Sequence, residues 1–151
     1  MSQIIKKLGL NKDICSEEYL FKFFKTFYAQ KSSISTLDVQ LKRFEHLQVL
    51  NLSRNKIRKI ENLPPNLKEL NLTANLIDQV EPIRTPLTSL IHLGLAYNFV
   101  RTPALVGITK NFPNLFSLDL AFNELCDFKS SILWLEKLGT IKMLSLAGNP
   151  L

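Results

Sequence analysis

One nine-residue phrase recurs five times in this chain and constrains the fold more than any other feature. It opens on an apolar residue, passes two residues of any kind to a Leu, one more to a second Leu, and two more to an Asn. The copies are LQVLNLSRN from Leu47, LKELNLTAN from Leu67, LIHLGLAYN from Leu90, LFSLDLAFN from Leu115 and IKMLSLAGN from Ile141. Five matches at four fixed positions do not arise by chance in 151 residues. The apolar places point inward and stack on their equivalents in the next copy. The short strands therefore lie side by side, about 4.8 Å apart. No single copy can bury its own leucines, so neighbours complete the core. The closing residues, Asn55, Asn75, Asn98, Asn123 and Asn149, fall where strand turns into loop. Buried loop amides and carbonyls there need partners, and a carboxamide offers both a donor and an acceptor.

A repeat of this kind is the strand segment of a leucine-rich repeat. The implied fold class is α/β: a leucine-rich-repeat solenoid with parallel strands on its concave face. An N-terminal helical cap and a convex side of mixed 3-10, extended and helical segments complete it. The asparagines are separated by 20, 23, 25 and 26 residues, so the convex returns lengthen along the chain. The first return, IENLPPN at 60–66, and the second, VEPIRTP at 80–86, are Pro-stiffened and expected to be non-α-helical. The fourth, DFKSSILWLEKL at 127–138, has neither Pro nor Gly. It is expected to form a helix with Phe128, Ile132, Leu135 and Leu138 on its apolar face.

Ahead of the repeats, Ser16 is a good N-cap with Glu17 and Glu18 behind it, and YLFKFFKTFYAQ follows. Leu20, Phe23, Phe24 and Phe27 form one helical stripe. Residues 1–33 are thus expected to be a helical cap over the open leucine edge, and residues 34–151 the repeat domain. Within the latter, ISTLDVQL at 34–41 is expected to add a degenerate capping strand, with Ile34, Leu37 and Val39 copying the phrase. Asn149, Pro150 and Leu151 directly follow the fifth strand. The expectation there is an open last repeat, covered by a partner or by a segment outside this sequence.

Composition adds limits. The length suits one domain, and a 46% apolar fraction is ample for its core. No apolar run approaches a membrane span, and the first residues lack a signal-peptide pattern. Cys15 and Cys126 show neither extracellular cap spacing nor metal-ligand spacing, so both are expected as reduced thiols in a cytoplasmic setting. Residues 1–60 hold 12 Lys and Arg against 5 Asp and Glu, whereas 61–151 hold 7 against 8. The basic excess therefore belongs to the N-terminal part, densest from Lys56 to Lys59. It reads either as a solvated edge or as a docking surface for an acidic partner.

Alternate strand residues point oppositely, so the third, fifth, seventh and eighth places of each phrase make the exposed concave face. The candidate protein-binding residues are Asn51 and Arg54, Glu69 and Asn71, His92 and Tyr97, Asp119 and Phe122, and Met143. The seventh-place column, Ser53, Thr73, Ala96, Ala121 and Ala147, is small and makes a trough. Tyr97 and Phe122 stand along one rim as aromatic anchors. Asn71, His92 and Asp119 are expected to set register by hydrogen bonds. No catalytic site, cofactor or metal is expected: His92 and Asp119 lack an activated Ser or Cys beside them, and there is no glycine-rich phosphate loop.

The short repeats with IENL-type returns resemble an intracellular class. That class is found in a protein phosphatase 1 regulatory subunit, an axonemal dynein light chain and a spliceosomal ribonucleoprotein subunit. NLPPNLKELNLTANLI (62–77), HLGLAYN (92–98), FPNLFSLDLAFNEL (112–125) and MLSLAGNPL (143–151) resemble more specifically the cilium-associated family of leucine-rich repeat-containing protein 43. The likeness runs from about residue 37 to the end, and the family continues beyond its repeats. It implies a non-enzymatic scaffold or adaptor in the axoneme of motile cilia or flagella. The other likenesses leave two alternatives, a phosphatase regulatory subunit and a component of an RNA–protein particle. Nucleic acid ranks low among the partners, since no interleaved basic and aromatic pattern runs through the repeats.

Overall fold

The computed structural model describes residues 17–151. Six three-residue strands form one parallel sheet in strict chain order: β1 (Thr26–Tyr28), β2 (Val49–Asn51), β3 (Glu69–Asn71), β4 (His92–Gly94), β5 (Ser117–Asp119) and β6 (Met143–Ser145). Registers align the fourth place of every phrase, pairing Phe27 with Leu50, then Leu70, Leu93, Leu118 and Leu144. All of these but Leu144 enter a single core with first- and sixth-place residues, among them Leu47, Leu52, Leu67, Leu72, Leu90, Leu95, Leu115 and Leu120. The chain is an α/β solenoid with its parallel strands on one face, as the phrase implies.

The asparagines hold successive coils together. In Asn98, Nδ2 donates to Leu72 O and Leu95 O, both at 3.0 Å, while Oδ1 accepts Ile77 N–H at 3.0 Å. Asn75, Asn123 and Asn149 repeat the pattern in their own coils, accepting from Ile57, Val100 and Leu125. Each carboxamide therefore bridges its own coil to the one before.

The N-terminal coil differs from expectation. Helix α1 (Glu17–Phe23) stops after two turns, and the next segment is strand β1 rather than more helix. Thr26, Phe27 and Tyr28 are β-branched or aromatic and suit a pleated edge. Lys25 O accepts Gln48 N–H at 2.8 Å and Val49 N–H at 3.0 Å, and Ala29 N–H donates to Asn51 O at 2.9 Å. The sheet edge thus captured this segment. The stripe changes accordingly: Leu20, Phe21 and Phe27 are buried, whereas Phe23 is 62% exposed. Phe44 completes the cover, meeting Phe21 edge-on at 4.8 Å and Phe27 at 6.4 Å. The expected cap at Ser16, and everything before it, lies outside the described residues.

The capping strand expected at 34–41 is not there. Ile34 and Leu37 are buried as the pattern implied, but they lie on the convex return, and Val39–Arg43 is a 3-10 helix capped by Asp38. The reason is phase. Asn55 Oδ1 accepts from both Ser32 N–H and Ile34 N–H at 3.0 Å, so Ile34 occupies the place that Ile57 and Ile77 hold in later coils. The strand of that coil must then lie upstream, at β1. The sheet consequently begins before residue 33, inside the segment read as cap.

On the convex side, the first two Pro-rich returns carry no helix. The third was not anticipated. A 3-10 turn, Thr102–Ala104, with Pro103 in its first turn, runs into helix α2 (Leu105–Asn111). Gly107 of α2 abuts the preceding return: a Cβ there would come within 1.6 Å of Val80 O. Asn111, fully buried, holds that return by accepting Ile83 N–H at 2.7 Å and donating to Glu81 O at 2.8 Å. The fourth return is the expected helix, α3 (Phe128–Leu135), with Asp127 capping Ser130 N–H at 3.0 Å. Its inward face is Ser131 and Leu135, with Leu138 beyond it, while Phe128 is 60% exposed. Ser131 is drawn in by a 3.3 Å hydrogen bond with Thr102.

Candidate protein-binding face

Strand geometry alone places the third- and fifth-place side chains outward. Asn51, Glu69, Asn71, His92 and Asp119 line one shallow trough of about 250 Å³ together with Tyr28 from the first coil. Tyr28 is 59% exposed and was not singled out from sequence, because its strand was read as helix. Met143 is on the last strand, 58% exposed, and does not line the trough. Arg54, Tyr97 and Phe122 stand apart from it too, on the rim where strands turn into ascending loops.

Part of the trough's hydrogen-bonding capacity is already committed. Oδ1 of Asn51, Asn71 and Asp119 accepts the N–H two residues on, from Ser53, Thr73 and Ala121, at 3.1, 3.0 and 3.0 Å. These are Asx turns that fix the end of each strand. The second carboxylate oxygen of Asp119 and the amide NH2 of Asn71 carry no part of these turns and are left to address a partner. Gly94 interrupts the column and keeps the trough open between them; a Cβ there would sit 3.4 Å from Asn71 Oδ1 and Thr73 Oγ1. His92 meets Phe116 edge-on at 6.0 Å and pairs with Ser117, two residues along the strand from Asp119, which pairs with Gly94. Phe116, 42% exposed, is a second feature absent from the sequence reading.

The rim holds the most definite arrangement. Tyr97 and Phe122 stack with ring centroids 4.4 Å apart and planes 10° from parallel. They are 55% and 48% exposed, so they do not pack away against the loops. Phe122 also lies over Gly148, where a Cβ would be 2.5 Å from Phe122 Cδ1. Each of the three has a left-handed backbone, with φ of 56°, 54° and 70°. Beyond the rim, Arg101 and Glu124 form a 2.9 Å ion pair that joins two ascending loops. It is exposed and worth little to stability. The basic run is solvated, with Lys56, Arg58 and Lys59 exposed around buried Ile57.

Among the described residues, no group of three His, Cys, Asp or Glu side chains is placed to hold a metal, and no helix is long and apolar enough to cross a membrane. Cys126 is an exposed free thiol, and Cys15 lies outside the described residues.

The fold is that of a leucine-rich-repeat solenoid, and the family described as Leucine Rich repeats (2 copies) matches residues 45–85. Domains of this class are generally interaction modules rather than enzymes. Over nearly all of its length the chain is similar to leucine-rich repeat-containing protein 43. Identity is 38% with the mouse protein (Mus musculus), covering 99% of this chain, and 36% with the human one (Homo sapiens), covering 90%. It spans 23% and 22% of the length of those relatives. A shorter stretch, 31% of the chain and 14% of the relative, is 47% identical to Protein phosphatase 1 regulatory subunit SDS22 of Schizosaccharomyces pombe.

Proposed function

We infer that this chain is a non-enzymatic adaptor that binds a protein segment across its strand face and ascending rim, within the axoneme of motile cilia or flagella. The observation that carries the binding reading is the Tyr97–Phe122 stack. Two large aromatics, each about half exposed, are held by each other and by their backbone ladder. Anchors fixed in advance lose little side-chain freedom when a partner arrives. Asn51, Glu69, Asn71, His92 and Asp119 then supply polar contacts in the adjoining trough, with Arg54 and Met143 at its margins. The ciliary setting draws on the likeness to leucine-rich repeat-containing protein 43. Leu144 of the fifth repeat is 41% exposed, which favours an additional covering element there, from a partner or from flanking sequence.

Proximity labelling in ciliated cells or sperm tests this reading. The wild-type chain should mark axonemal proteins, and Tyr97→Ala with Phe122→Ala should lose them while keeping its circular dichroism spectrum. Unchanged labelling by a folded double variant would remove the rim as the site. A second reading, as a phosphatase regulatory subunit, draws on the 47-residue likeness to SDS22. Labelling of a phosphatase catalytic subunit alone would favour it.

A further inference from the structure

The eighth place of each phrase shares one backbone state. Arg54, Ala74, Tyr97 and Phe122 have φ of 58°, 56°, 56° and 54°, and Gly148 has 70°. The first coil contributes a member that carries no phrase to mark it: Lys31, at 51°. Its N–H donates to Ser53 O at 3.2 Å. Arg54 N–H reaches Thr73 O, Ala74 N–H reaches Ala96 O, Tyr97 N–H reaches Ala121 O and Phe122 N–H reaches Ala147 O, all at 2.7–2.9 Å. Left-handed φ is costly for residues with a Cβ, and this ladder, together with the Asn that follows in the later coils, holds them there. Six positions, five of them with side chains, therefore stand in single file, about 4.8 Å apart.

The file reads Lys, Arg, Ala, Tyr, Phe, Gly, so it is cationic at one end and aromatic at the other. Lys31 and Arg54 are exposed and, among the described residues, take part in neither ion pair. Two residues on in each coil come Ser33, Lys56, Leu76, Phe99, Glu124 and Pro150, so the cation-then-aromatic order recurs there only at Lys56 and Phe99, and Glu124 is paired with Arg101. We propose that this file is the rail on which an extended protein segment docks, with a carboxylate over Lys31 and Arg54 and an apolar side chain over Tyr97 and Phe122. The proposal rests on the rim being the binding site, as argued above, and adds the chemistry and spacing of the partner. From Arg54 to Tyr97 is two steps and to Phe122 three, or about 10–14 Å. An extended chain advancing about 3.3 Å per residue covers that in three or four residues. The partner signature is thus an Asp or Glu three or four residues from a large apolar residue. Single-stranded nucleic acid fits less well. Stacking needs free ring faces, and Phe122 is covered by Tyr97 on one side and Gly148 on the other.

The test is selection of a random-peptide phage library on this chain, followed by fluorescence anisotropy of the enriched peptides. Enriched peptides should carry the acid–apolar spacing and bind more weakly as salt rises. The charge reversals Lys31→Glu and Arg54→Glu together should weaken them by about tenfold or more. Both positions are exposed, and circular dichroism with urea melting checks that the variant is folded. Enriched peptides without acids, binding indifferent to the charge reversal, or no enrichment would each overturn the proposal. If only Tyr97→Ala with Phe122→Ala abolished binding, the rim would stand as a protein site and the rail would fall. If neither pair mattered, both readings would fall. Tighter binding of oligouridylate than of any peptide, lost on charge reversal, would make this a nucleic-acid surface and overturn the proposal too.

Discussion

Replacing the ladder asparagines one at a time by Ala should give unequal losses, and the ranking follows from counting what each deletion orphans. Leu72 O accepts from both Asn75 and Asn98, and Leu95 O from both Asn98 and Asn123. Asn98→Ala therefore leaves both carbonyls one partner each and strands only the buried Ile77 N–H. Asn75→Ala and Asn123→Ala likewise strand one N–H each, of Ile57 and Val100. One buried unpaired donor costs roughly 1–3 kcal/mol. Asn55 is different. It alone accepts Ser32 N–H and Ile34 N–H, and it donates to Ala29 O at 2.7 Å. Asn55→Ala strands all three, for a loss of roughly 3–5 kcal/mol. Asn149→Ala strands Leu125 N–H and Leu146 O, but both bonds are only partly buried, so water limits the loss to about 1 kcal/mol. Urea unfolding, followed by far-UV circular dichroism and by Trp134 fluorescence, reads the series. With a slope near 2 kcal/mol/M, the single-donor variants should shift the midpoint by about 1 M and Asn55→Ala by about twice that. If only the first coil detached in Asn55→Ala, dichroism would fall before fluorescence. An Asn55→Ala midpoint equal to that of Asn98→Ala by both probes would refute the orphan-counting argument.

Two further outcomes follow from local geometry. Gly107→Ala drives a methyl into backbone at Val80 rather than into a side chain that can swing away. It should cost about 3 kcal/mol or more, whereas Gly139→Ala, with no atom within 4 Å, should be neutral in thermal melting. Asp127 caps α3 with its carboxyl held below the ordinary carboxylate range, chiefly by the Ser130 hydroxyl and then by backbone N–H groups. A lowered folded value means the cap's contribution is present above the ordinary carboxylate range and lost as pH falls through that lowered value. Amide protection factors in α3, with the intrinsic pH dependence of exchange divided out, should fall over that acid window in the wild type and stay flat in Asp127→Asn, which keeps an acceptor without a charge.

The repeat phrase made the solenoid, the register and the ladder legible, because each depends on a side chain the backbone requires at a fixed place. The legible part ended where the phrase degenerated. Phe27 stands in the inward place of Leu50, but the first coil has Ser32 where later coils have Asn, so its strand carried no marker. The aromatic run around it satisfies a helical stripe equally well. Neighbouring strand edges decide such a segment, and they are not local information. The helix in the third return went unmarked for a related reason. Gly107 and Pro103 both argue against helix locally, yet Gly107 is there because α2 lies on the Val80 carbonyl and no larger residue fits.

The site divides along the same line. Asn51, Glu69, Asn71, His92 and Asp119 came together in one trough because period-two alternation is a property of any strand. That Asn71 and Asp119 spend an oxygen on their own backbone was not legible, since it depends on the turn that follows. The eighth place is the opposite case. Backbone φ is what the fold demands there, and the side chain is left free: it is Arg, Ala, Tyr, Phe and Gly in successive repeats. A position fixed in direction by hydrogen bonds but unconstrained in chemistry is where a repeat protein can place recognition without disturbing its core. The order of side chains along that file, cations before aromatics, is therefore the part of this sequence that packing does not account for.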